Sequence, residues 1–141
     1  MAENFFDVGL DRNPANFQPL TPLTFLERSA AVFPDHTAII HGPLRRSYAA
    51  FYERTRQLGS ALASRFGIGQ GDTVSVILLN TPAMLECHYG VPMCGGVLHS
   101  INTRLDAKVI AFQLDHAQAK VLIVDRECMA LAQQALQLAD V

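Results

Sequence analysis

Residues 64–76 read SRFGIGQGDTVSV, with Gly67, Gly69 and Gly71 falling within five positions. A glycine-rich loop that cradles phosphate follows a strand and opens a helix, because the helix N-terminus supplies free N–H groups and the positive end of its dipole. Here the order is reversed. Phe51, Thr55, Leu58, Leu62 and Phe66 recur at helical spacing before the glycines, and TVSVILL (73–79) after them is a short apolar, β-branched run. Gly67 therefore reads as a helix C-cap, and the rest as a turn into a buried strand. The stretch redirects the chain and does not bind a nucleotide.

Working outward, the same logic orders the remainder. Ser47 caps the long helix that ends at the glycines. Thr81 and Pro82 cap and open the next helix, which runs towards Gly95-Gly96, with Pro92 expected to kink it near its end. GVLHSIN (96–102) is a second buried strand, Asp106 caps AKVIAFQLDHA, KVLIVD (120–125) is a third strand, and RECMALAQQALQL (126–138) a last helix. Strands alternating with helices imply an α/β fold with a parallel sheet and right-handed crossovers. In front of it, TPLTFLERSAAVFPD (21–35) forms a first helix, with Thr24 and Glu27 at capping-box spacing and Phe25, Leu26, Ser29, Ala30 and Phe33 on one face. TAIIHGPLRRSYA (37–49) is a short β-hairpin turning at His41-Gly42-Pro43. Residues 1–20 form an extended arm.

The bulk properties limit what such a domain does. Its 141 residues are 50% hydrophobic and 17% charged, with a net charge of −2. That length suffices for one well-buried core. The basic residues are scattered. Arg45, Arg46, Arg54 and Arg56 make only a loose group, and Arg54 and Arg56 read as a solvated helix face. Nucleic-acid binding is not expected. No stretch has the length of a transmembrane segment, and the N-terminus lacks the pattern of a secretory signal. Cys87, Cys94 and Cys128 are odd in number and unpaired by spacing, which argues against a disulfide framework and a zinc site. A cytoplasmic protein is expected.

Ligands of parallel sheets bind beyond the carboxyl ends of the strands. Two strand-to-helix turns lie there, LLNTPAM (78–84) and HSINTRLDA (99–107). The second supplies the candidate substrate-binding residues His99, Ser100, Asn102 and Arg104. Competing roles exist for each: a core histidine bonded to backbone for His99, turn formation for Asn102 and a surface ion pair for Arg104. His36, His41, His88 and His116 sit on different elements and make no metal set. No catalytic residue is assigned.

Several stretches in order resemble one family, the adenylate-forming acyl-CoA synthetases of the AMP-binding superfamily. TFLERSAAVFPDHTAIIHG (24–42) is similar to its opening. Residues 45–90 resemble its first core region, with Ser47-Tyr48 opening a helix and Gly-x-x-x-Gly-Asp leading into a strand. Residues 91–125 are the most specific part. They resemble the Gly-Ala-Val-x-x-x-x-Asn-x-x-Leu block of fatty acyl-CoA ligases, among which those acting on medium- and long-chain acids look closest. Gly96 stands where alanine is frequent, and Thr103 where proline is. The likeness runs from about Asn13 onward.

The resemblance implies an ATP-dependent ligase that turns a carboxylic acid into an acyl-adenylate and then into acyl-CoA, using ATP, Mg²⁺ and coenzyme A. The family's phosphate loop and catalytic lysine come later in its sequence and have no counterpart before Val141. The expectation is a fragment, inactive alone and binding no cofactor itself, in which residues 21–141 are the first α/β subdomain of the large domain. A homodimer through residues 1–33 is also implied. The competing reading is a stand-alone dimerisation or interaction module derived from a synthetase.

Overall fold

The computed structural model describes residues 8, 9 and 11–141. The chain forms α1 (Pro22–Val32), the hairpin β1 (Thr37–His41) and β2 (Leu44–Ser47), then α2 (Tyr48–Phe66), β3 (Thr73–Ile77), α3 (Pro82–Met93), β4 (Val97–Ser100), α4 (Ala107–His116), β5 (Ala119–Val124) and α5 (Met129–Leu136). The expected α/β order holds from α1 to α5, while the expected arm over residues 1–20 lies partly outside the described residues. β4, β3 and β5 make a parallel sheet in that spatial order, with β3 central. The antiparallel hairpin stands apart from it.

A parallel sheet needs cover on both faces, and β3 shows how the sequence provides it. Val74, Val76 and Leu78 pack with Leu62, Ile68, Cys87 and Val91 of the α2–α3 side. Ile77, on the alternate face, packs with Ile101, Ile110, Leu114, Ala132 and Ala135 of the α4–α5 side. A smaller cluster of Leu26, Ile39 and Phe51 ties α1 and the hairpin to α2. Among the described residues, the outer edges of β4 and β5 have no strand beside them.

The opening glycines do what their position before a strand requires. Gly67 takes φ +65° as the cap of α2, and the N–H of Ile68 returns to the Leu62 carbonyl at 3.1 Å. Gly71, at φ +85°, donates to the carbonyl of Gly95, itself at φ +84°. A Cβ on Gly95 would stand 3.1 Å from Gln70 Cα. Asp72 accepts from the Gly69 N–H at 2.9 Å and binds Lys120 at 2.6 Å, which holds its carboxyl below the usual range. The amino ends of the strands are thus closed by turns bonded to one another.

The caps divide into two kinds. Ser47 accepts from the Ala50 N–H and Asp106 from the Val109 N–H, as their positions predict. The Thr24–Glu27 capping box does not form. Pro22, favoured at a first helical position, starts α1 earlier, with Thr21 as its cap, and the Thr24 hydroxyl instead donates to the Thr21 carbonyl. Pro92 lies in the last turn of α3, beside the helix end at Met93. Phe25, Phe33 and Phe66, expected on buried faces, are exposed.

Candidate functional site

β3 and β4 are parallel neighbours, so the turns that leave them lie side by side. The Ile101 N–H donates to the Val76 carbonyl at 2.9 Å and pins the second turn against the end of β3. Between them opens a cleft of about 450 Å³, lined by Leu78, Asn80, Met84, Ser100, Asn102 and Arg104 among others. Asn102 is partly structural. Its side-chain oxygen accepts from the Arg104 N–H at 3.0 Å and shapes the turn, leaving the Arg104 side chain exposed at the mouth. Ser100, Asn102 and Arg104 are therefore brought together, and Asn80 joins them from the first turn.

His99 is not brought with them. Strand alternation turns it to the other side, where its Nδ1 lies 2.9 Å from the Oγ of fully buried Ser75. It is bonded to a side chain rather than to backbone. Burial, and secondarily the charge of His116, lower its pKa and favour the neutral ring. This pairing makes His99 part of the sheet's packing.

A second cleft of about 330 Å³ lies on the other side of the Asn80-Thr81 turn, between the hairpin and α3. It shares Asn80 and Met84 with the first and adds Ile39, Ile40, Leu85 and His88. One cleft is edged by amides, a hydroxyl and a guanidinium, and the other mainly by hydrocarbon.

Sequence reading missed the residue that fixes this geometry. Glu86, on α3, has a side chain only 8% exposed, and it receives Arg54 Nε at 2.6 Å and Arg54 Nη2 at 3.0 Å. Arg46, from β2, also binds its Oε1. The fork of Arg54 matches a carboxylate, and that hydrogen bonding raises the Arg54 pKa further. One buried carboxylate thus joins the hairpin, α2 and α3. Arg54 does not lie on a purely solvated face, whereas Arg56 stays exposed, over the ring of Tyr52. Nothing in a single helix pattern signals a pairing across 32 and 40 residues. Beside Glu86, the thiol of Cys87 is pushed up to about 11 by burial and by that carboxylate, as suits an inert core cysteine.

The residues present do not fit a magnesium–nucleotide site. Among the described residues no three His, Cys, Asp or Glu side chains gather to hold a metal ion, and neither strand-to-helix turn carries a glycine cradle. What the chain does share with known proteins is a long run of sequence. Residues 26–141 match the family model described as AMP-binding enzyme. The chain belongs to the AMP-binding enzyme family.

Within that family, it is 49% identical over 129 residues to the peroxisomal acetate/butyrate–CoA ligase of Arabidopsis thaliana, covering 92% of this chain and 22% of that protein. It is 46% identical over 129 residues to an acetate–CoA ligase of Humulus lupulus, with the same two coverages. Among solved structures, a benzoate CoA ligase from Burkholderia xenovorans superposes with a TM-score of 0.78 at 26% identity, over 83% of this chain and 24% of that one. The chain thus spans less than a quarter of the length of each of these three ligases. Among the described residues no helix is long and apolar enough to cross a membrane.

Proposed function

We propose that this chain is the opening part of an ATP-dependent acyl-CoA ligase, which joins a carboxylic acid to AMP and then to the thiol of coenzyme A. The observation that carries the reading is 49% identity to an acetate/butyrate–CoA ligase across 92% of the chain. ATP and Mg²⁺ are held by the rest of the parent enzyme, because the described residues supply neither a phosphate cradle nor a metal set. Alone, the chain turns over no substrate. Residues 1–20 serve as an arm, and residues 21–141 as the first α/β subdomain. Within the enzyme, Ser100, Asn102 and Arg104, with Asn80, form a wall that positions substrate by hydrogen bonding.

The acid to try first is short, because three of the relatives are named for acetate or butyrate. Medium- and long-chain acids, suggested by the signature block, form the second arm of the assay. The compartment is read as the cytoplasm, with the peroxisome, named for several plant relatives, as the alternative. A homodimer through residues 1–33 draws support from exposed apolar side chains there, with Leu20 86% and Phe25 57% exposed.

The test measures the mass of the protein in its source cells, then pyrophosphate release with acetate, butyrate, octanoate and palmitate. A product several times heavier than 15.4 kDa that releases pyrophosphate in the presence of one acid supports the reading. A product of 15.4 kDa sinks it and favours a stand-alone interaction module.

A further inference from the structure

The polar cleft draws on two turns, and they are held in different ways. The second is pinned locally. Asn102 accepts from the Arg104 N–H, the Ile101 N–H reaches the Val76 carbonyl, and Asp106 caps α4. The first, which carries Asn80, has less to fix it. Its backbone closes through the Thr81 N–H on the Leu79 carbonyl at 2.7 Å, but the Thr81 side chain makes no cap to α3 and Asn80 is exposed. Where Asn80 stands is therefore set by how α3, which begins two residues later at Pro82, lies on its neighbours. Cys87 and Val91 bury apolar surface beneath α3, which attracts without setting a direction. The contact that carries direction is Glu86, about one helical turn after Pro82. It accepts Nε and Nη2 of Arg54 from α2, and Arg46 of β2 binds the same carboxylate. A forked pair forms in one relative orientation, so α2 and the hairpin together fix the rotation of α3 in the half of the helix nearer Asn80.

We propose that Glu86 is a positioning residue for the polar cleft: through Arg46 and Arg54 it fixes α3, and α3 in turn holds the Asn80 amide where it hydrogen-bonds substrate. The inference rests on the reading of the chain as the opening part of a ligase. Glu86 is buried and does not line the cleft, so its influence on a ligand passes through Asn80. Disturbing it shifts the amide without removing it. The expected signature is weaker binding of one substrate with turnover kept.

The experiment is a double-mutant cycle in the protein at the length its source cells make, with mass measured first. KM for the acid, ATP and coenzyme A and kcat are read from pyrophosphate release and acyl-CoA formation. Asn80→Ala is expected to raise one KM about fivefold, the worth of one hydrogen bond, with kcat changed by less than about twofold. Glu86→Gln should raise the same KM roughly threefold, and the double variant should raise it no further than Asn80→Ala alone. Effects that multiply in the double variant show that Glu86 acts independently of Asn80 and overturn the proposal. A Glu86→Gln protein that loses kcat through a smaller active fraction, with every KM unchanged, has lost structure alone and also overturns it. So does an Asn80→Ala protein with no KM changed. In these three cases the wild-type protein still releases pyrophosphate, and the ligase reading stands. A product of 15.4 kDa overturns both. Where Glu86→Gln does not fold, Arg54→Lys, which keeps the charge and gives up the fork, takes its place in the cycle under the same criteria.

Discussion

The two ends of the β4-β3-β5 sheet are built from opposite materials. At the amino ends, Gly67, Gly71 and Gly95 take left-handed backbone and bond to one another or to their own helix. At the carboxyl ends, Asn80, Ser100, Asn102 and Arg104 border a cleft with no glycine in it. The contrast separates two uses of irregular backbone. Glycine is placed where the chain must pass close to itself, and polar side chains where it stops short of closing.

The largest test of this contrast is Gly95→Val. It forces a branched side chain into left-handed backbone 3.1 Å from Gln70 Cα, and it should cost about 3 kcal/mol or more in urea unfolding. A cost below about 1 kcal/mol would mean that the amino-end turns are not close-packed. Next comes Glu86→Ala, which leaves Arg46 and Arg54 facing an emptied site. Both guanidiniums keep some access to water, so the loss should be about 2 kcal/mol, below that for a wholly buried pair. Glu86→Gln should recover part of it. Gly67→Ala meets open space but keeps φ +65°, and should cost about 1 kcal/mol.

The carboxyl end should respond in the opposite sense. Arg104→Ala should move stability by less than about 0.5 kcal/mol, since its side chain is exposed and unbonded in the described residues. In the full-length ligase proposed for this chain, the same change should raise KM for its acid or for coenzyme A. An unchanged KM for both would remove Arg104 from the site.

The smallest effect concerns His99. Its pKa lies below the ordinary histidine value of about 6.5, so the unfolded chain binds more protons between the folded value and 6.5. Stability should therefore rise with pH through that window and fall as the solution is acidified below 6.5. His99→Gln should flatten this slope in unfolding curves taken between pH 5 and 7.

The sequence made the sheet legible because β3 announces itself: TVSVILL is a short, largely apolar and β-branched run that lies between a capped helix and Pro82. Asp106 and Ser47 were readable for the same reason, being local caps with local partners. What stayed hidden was everything that needs two distant segments. Glu86 sits in an apolar helix, and its partners lie on other elements. Gly59 and Gly90 meet where α2 crosses α3, and the pattern of neither helix alone signals that contact. The strand order could not be read either, since alternating elements fit several arrangements. Of the candidate site, position alone led to Ser100, Asn102 and Arg104, which line one cleft. His99 was misplaced among them because a strand's alternation sends neighbours Ser100 and His99 in different directions.

β3 is both the central strand and the first of the three in the chain. During synthesis the sheet therefore starts from its middle. β4 then adds on one side and β5 on the other, so each new strand meets a partner already made. Growth from the centre outward means that the outer edges of β4 and β5 take shape only once the central strand is in place.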